Sequence, residues 1–187
     1  MAKIDAQIIK GFNFKKIEQL LKKGMVNAIN NSADIIKLDI ENGIKYGRDI
    51  NGKQFKPLKP STVHSKRAKN SKMPRRPLID TGMMSKTYVR KRATSSNPHC
   101  VLKPANARKD ISKYHQYGTK KHKIVAGAGK AIPIYTARGQ LIFRKSAIVG
   151  PIPQREWFGI SKNARQKCLS QKNRIVGDIL RRSWYGK

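Results

Sequence analysis

An α+β fold is predicted by three observations. From Phe14 to Tyr46, apolar residues recur in steps of three and four. The middle of the chain holds short β-prone runs set off by turn residues, and helical spacing returns after Ser161. A long N-terminal helix, a small antiparallel β-sheet with a hairpin insertion and a C-terminal helix follow from that order. A length of 187 residues favours a single domain, 1–187, with extensions.

The first helix places residues 14, 17, 20, 21, 25, 28, 29, 33, 36, 40 and 44 on one face. Gly24 and Asn30-Asn31-Ser32 are weak helix formers, expected to kink or split it. Gly43, Gly47 and Asn51-Gly52 end it. An extended basic loop is expected at about 48–80, where four prolines interrupt any periodicity. Pro57 and Pro60 hold the preceding residues extended, and Ser61 or Thr62 is placed to cap a short helical turn through Ala68. Lys66, Arg67, Lys69, Lys72, Arg75 and Arg76 form an acid-free cationic run. It reads either as a solvated loop or as an arm that contacts phosphates, another polyanion or a partner.

Thr87–Val89 begins a strand, Ser95-Ser96-Asn97-Pro98 turns it, and His99–Leu102 returns. Tyr114–Gly118 reads as a short strand ending at glycine. A hairpin insertion at about 120–150 pairs Ile132–Thr136 with Gln140–Phe143 through Ala137-Arg138-Gly139, with Pro133 confining its strand to an edge. Ser161 is the N-cap expected for the last helix, whose apolar side gathers Ala164, Cys168, Ile175, Ile179 and Leu180, widened by Val176 and Trp184.

Charge is the most informative bulk property. The chain holds 42 Lys and Arg against 10 Asp and Glu, a formal net charge of +32. Residues 1–50 contribute nine bases and six acids; the other 33 bases and four acids lie in 51–187, a net of +29. Such a field attracts nucleic acid, acidic surfaces or acidic proteins and repels copies of the same chain. Apolar residues make up 38%, enough for a modest core. No run approaches the roughly 18 apolar residues that span a bilayer, and the first residues lack the apolar stretch of a secretory signal, so no membrane association is expected. Cys100 and Cys168 lie too far apart for a zinc or redox motif and read as reduced thiols of a protein assembled in the cytoplasm.

Groups able to do chemistry are scarce. After residue 50 the carboxylates are Asp80, Asp110, Glu156 and Asp178, with no pair spaced for acid–base work. Asp80-Thr81-Gly82 matches the aspartic-protease triplet, but those sites need two carboxylates sharing a proton and a continuing β-lobe; a turn shaped by Gly82 is the better reading. The Gly127–Lys130 stretch lacks P-loop spacing, no metal-ligand cluster is present, and no cofactor is expected. His115 reads as a hydrogen-bonded structural histidine. The expectation is a protein that is not an enzyme and takes no small-molecule substrate.

Three segments, in order, are more specific than the charge. The first runs Gly52-Lys53-Gln54-Phe55-Lys56-Pro57-Leu58-Lys59-Pro60-Ser61-Thr62, and the second Pro77-Leu78-Ile79-Asp80-Thr81-Gly82-Met83-Met84. The third joins His115-Gln116-Tyr117-Gly118 to Pro153-Gln154-Arg155-Glu156-Trp157-Phe158-Gly159-Ile160-Ser161. The set resembles the bacteriophage virion morphogenesis family, the small tail-completion and head–tail joining proteins of long-tailed phages. Residues 120–150 depart from its pattern as an insertion, and Glu156-Trp157 stands where Pro-Phe-like residues are commoner. The resemblance implies a virion component of the neck or head-proximal tail, a tail-completion, tail-terminator or head–tail joining protein, as a homo-oligomer in a ring, often hexameric, next to neck, connector and tail proteins. Phe55, Leu58, Leu78, Thr81, Gly82, His115, Gln116, Pro153, Arg155, Trp157 and Phe158 would then shape or form partner interfaces. The cations would meet acidic neighbours, or make transient contact with genomic DNA in the channel. The alternative is a basic protein binding nucleic acid without sequence preference.

Overall fold

The computed structural model describes residues 14–104 and 109–184. The expectation of no secretory signal falls on the first residues, largely outside these, and the side chain of Trp184 is likewise not described. The elements are α1 (Phe14–Tyr46), α2 (Pro60–Ala68), a single 3₁₀ turn (Met83–Ser85), β1 (Thr87–Lys91), β2 (Val101–Pro104), α3 (Lys109–Tyr117), β3 (His122–Val125), β4 (Ile132–Tyr135), β5 (Leu141–Arg144), β6 (Ser146–Val149) and α4 (Lys162–Trp184). This is the α+β order expected, with helical ends and antiparallel strands between them. Among the described residues no helix is long and apolar enough to cross a membrane.

The chain groups into two compact units, one formed by residues up to 35, 89–102 and 163 onward, the other by 36–88 and 103–162. In the first, α1 runs unbroken through its weak helix formers, of which Gly24 and Asn30 serve tertiary contacts. A Cβ at Gly24 would collide with the Ile179 side chain of α4, so its absence permits close helix packing. The Asn30 side chain pairs reciprocally with one peptide: its Nδ2 donates to the Ala93 carbonyl at 3.1 Å and its Oδ1 accepts from the Ala93 N–H at 2.8 Å. Asp34 takes a two-pronged bond from Arg92 at 3.0 and 3.2 Å. Ala28, Ala33, Ala93 and Ala164 are buried here, whereas Leu20 and Met25 of the α1 stripe and Leu180 of α4 are exposed. Cys100 and Cys168 carry free thiols.

In the second unit the core is Ile40, Ile44, Leu78, Met84 and Trp157, with Ile36, Phe55, Ile79 and Phe158 packed against it. The 48–80 segment is less extended than its prolines imply. Pro60 opens α2 at its first turn, where a missing N–H costs nothing, so Lys59, not Ser61 or Thr62, is the N-cap. Tyr114–Tyr117 is the end of helix α3, not a strand. Gly118, at φ +73°, stops that helix in the left-handed conformation available to glycine.

Beyond it an arm of four strands carries the expected β4–β5 hairpin, with Ile134 opposite Ile142, on a base not expected from sequence, β3 paired antiparallel with β6. The strands of this base are separated by twenty residues of chain and joined by no local turn, so no turn signal marks them as a pair.

Candidate functional site: a motif clasp

The three sequence segments converge in the second unit. Helix α3 supplies one jaw and the Ile152–Phe158 strand-like stretch the other. The Gln116 carboxamide acts as a surrogate peptide: Nε2 donates to the Phe158 carbonyl at 3.2 Å and Oε1 accepts from the Phe158 N–H at 3.1 Å. The Arg155 N–H donates to the His115 carbonyl at 2.7 Å, and the Thr119 N–H to the Ile152 carbonyl at 3.0 Å. A Cβ at Gly118 would stand 3.0 Å from the Ile152 carbonyl oxygen, so glycine is required for both its φ and this approach.

Two buried side chains fill the clasp. Trp157 is 2% exposed; its indole N–H donates to the Ser112 carbonyl at 3.4 Å, and its ring meets Phe158 edge-on at 5.3 Å between centroids. Arg155 is 4% exposed, and its guanidinium reaches the Lys56 carbonyl at 3.3 Å and the Pro153 carbonyl at 3.4 Å. These bonds tie the first motif segment, through Lys56, to the last. Burial lowers the Arg155 pKa.

The His115 Nδ1 lies 3.4 Å from the Arg155 guanidinium. Burial first, and the Arg155 charge second, pull its pKa down from the usual 6.5 to about 4. The folded state therefore holds His115 neutral, while the unfolded chain binds a proton near pH 6.5. The stabilisation is complete above that pH and is lost as pH falls through 6.5 towards about 4. His115→Gln is expected to remove this dependence, worth on the order of 3 kcal/mol. Urea unfolding of both proteins from pH 7.5 to 3.5 checks it; parallel stability profiles would assign His115 no share.

The second segment is organised from below by Lys66, a residue expected to contact polyanions. The structure corrects that expectation: its ammonium is buried and donates to three backbone carbonyls, Met73 at 3.2 Å, Arg76 at 2.7 Å and Ile79. Burial lowers its pKa, and the nearby Asp80 carboxylate opposes that shift. The same chain bend holds Leu78 at φ +62°, a strained conformation for a branched side chain, kept by its burial in the core. Gly82, at φ +80°, precedes the 3₁₀ turn, consistent with the turn reading of Asp80-Thr81-Gly82.

Arg67, Lys69, Lys72, Arg75 and Arg76 are exposed. Arg76 also donates to the Tyr46 carbonyl at 3.1 Å, placing a cation on the last residue of α1. Of the expected interface residues, Leu78, Arg155 and Trp157 are buried within the chain. Phe55, Leu58, Gly82, His115, Gln116, Pro153 and Phe158 are half-buried, and Thr81 is exposed.

Leu58, Leu78, Ile79, Thr81, Met83 and His115 line an open groove of about 310 Å³. Sequence reading missed Ser112, whose carbonyl holds the indole and whose hydroxyl meets the Met84 sulfur at 3.6 Å. Its spacing from His115 signals a shared face only once the segment is known to be a helix.

The hydrogen-bonding neighbour of the His115 ring is the Arg155 guanidinium. Among the described residues, no three of His, Cys, Asp and Glu gather as metal ligands. The arrangement positions backbone and surface. No curated protein and no solved structure matches the chain. The sequence model of the phage virion morphogenesis family matches residues 19–176, which spans every segment of the clasp. The chain belongs to the phage virion morphogenesis family, and its role lies in the structure and assembly of the phage particle.

Proposed function

We propose that the chain is a neck or tail-completion protein that forms a homo-oligomeric ring, hexameric in the simplest form, at the head–tail junction and joins or stabilises head and tail without catalysis. The observation that carries this reading is the convergence of the ordered family motifs on one packed clasp whose bonds are spent on shape. Exposed apolar residues of the α1 stripe, Leu20 and Met25, support a packing face for a neighbouring subunit. A subunit of charge +32 resists self-association, so acidic neck, connector or tail neighbours would help hold the ring. Genomic DNA passing the channel would meet the remaining cations only transiently.

Sizing and negative-stain microscopy of the full chain, with antibody labelling of purified particles, test the reading. A closed ring and label at the junction are expected. A monomer absent from particles, binding arbitrary duplex DNA with a steep salt dependence, would favour the nucleic-acid alternative.

A further inference from the structure

We propose that the 120–149 arm is a docking element for an acidic virion protein, gripping it with exposed aliphatic and aromatic side chains inside a cationic rim. The inference rests on the virion reading above and names the surface it uses.

Two features of the arm point this way. The first is apolar exposure. Val125 and Ile148 on the base are 70% and 76% exposed, and Leu141 and Phe143 on the hairpin 45% and 64%. The register puts Pro133 opposite Phe143 and Tyr135 opposite Leu141, so these four share one face of the β4–β5 ladder. The alternate face, with Ile132, Ile134 and Ile142, is half-buried. The exposed face is thus apolar by strand alternation, where a solvated hairpin would place polar residues.

The second feature is charge. From residue 111 to 155 the chain contains no Asp or Glu. The arm itself carries seven Lys and Arg, all exposed. Lys123 sits directly opposite Ile148 on the base ladder, and Arg144 and Lys145 join the hairpin to it. Among the described residues no ion pair involves the arm. Its cations are thus left available to an acidic neighbour.

The combination selects the occupant. A second copy would bring the same uncompensated cations against these. Nucleic acid would satisfy the charge, but it leaves Val125, Leu141 and Ile148 against phosphates and sugars, and stacking uses aromatic rings, of which this face offers Phe143 and a Tyr135 that is half-buried. An acidic protein face with apolar residues at its centre satisfies both features: burial for the middle, opposite charge for the rim.

The test uses the full chain in the particles made by the phage or prophage that encodes it. The photo-cross-linker p-benzoylphenylalanine is placed at Phe143 and, separately, at Ile148, and the products are identified by mass spectrometry. Expected are cross-links to another virion protein within a segment where Asp and Glu outnumber Lys and Arg. Cross-links to a second copy, to DNA, to a non-acidic segment or to nothing, with the chain present in particles, overturn the docking arm alone. Absence of the chain from particles overturns the virion reading and the arm with it. In parallel, Lys123→Glu with Arg144→Glu should reduce incorporation about tenfold, while the equally charge-reversing pair Lys172→Glu and Arg174→Glu on α4 should leave it near wild type. Equal loss from both pairs would mean that bulk charge, not the arm, is read.

Discussion

Trp157→Ala is expected to lower the unfolding free energy by about 3–5 kcal/mol, the range for emptying a buried aromatic site. The side chain is 2% exposed at the centre of the second unit's core, against Ile40, Ile44, Leu78 and Met84. Its removal opens a cavity, takes the indole N–H from the Ser112 carbonyl and deprives Phe158 of its ring partner. For a chain of this length the midpoint of thermal unfolding should fall by about 10 °C. Trp157→Phe, which keeps most of the volume and loses the indole bond, should cost about half as much or less. Calorimetry on both variants checks the order; an alanine variant as stable as wild type would show that the core does not depend on this residue.

The second large effect is expected at Lys66. Lys66→Met keeps most of the apolar stem but leaves the Arg76 and Ile79 carbonyls without their shared donor, while the Met73 carbonyl still accepts from the Arg76 N–H at 3.1 Å. Unsatisfied buried acceptors cost about 1–3 kcal/mol each where water does not reach them, so a loss of about 3 kcal/mol is expected. Lys69→Met, an exposed change in the same charge run, should stay within about 0.5 kcal/mol. Hydrogen exchange should further show faster opening of amides between residues 71 and 80 in the Lys66 variant only. If the two variants behave alike, Lys66 is one more surface cation.

The sequence disclosed the helical ends, the β1–β2 pair and the β4–β5 hairpin because each has its own period or turn residues. It misled wherever a residue's tertiary task opposed its local preference. Gly24 and Asn30 read as breaks in α1, yet one makes room for Ile179 and the other pairs with the Ala93 peptide. Tyr114–Tyr117 reads as a strand by composition, but Gly118 and the peptide pairing of Gln116 suit a helix end.

At the clasp, Gln116, Arg155, Trp157 and Phe158, singled out by the motif spacing, lie together. Their inward direction was not legible, because a motif records which residues recur together and not which way they face. Lys66 illustrates the same limit: six bases in eleven positions look alike until one is turned inside.

Thr119 and Ile152 are stitched together twice, by the Thr119 N–H on the Ile152 carbonyl and by the Ile152 N–H on the Thr119 hydroxyl at 3.2 Å, while Gln116 locks Phe158 just below. Everything between is a loop already closed at its root. Changing the length of such a loop costs only about 0.6 kcal/mol per doubling. The main tether beyond the root is where β4 leans on α2 and Gly139 abuts His64. A longer or shorter appendage at this root would therefore leave the base of the unit folded as it is.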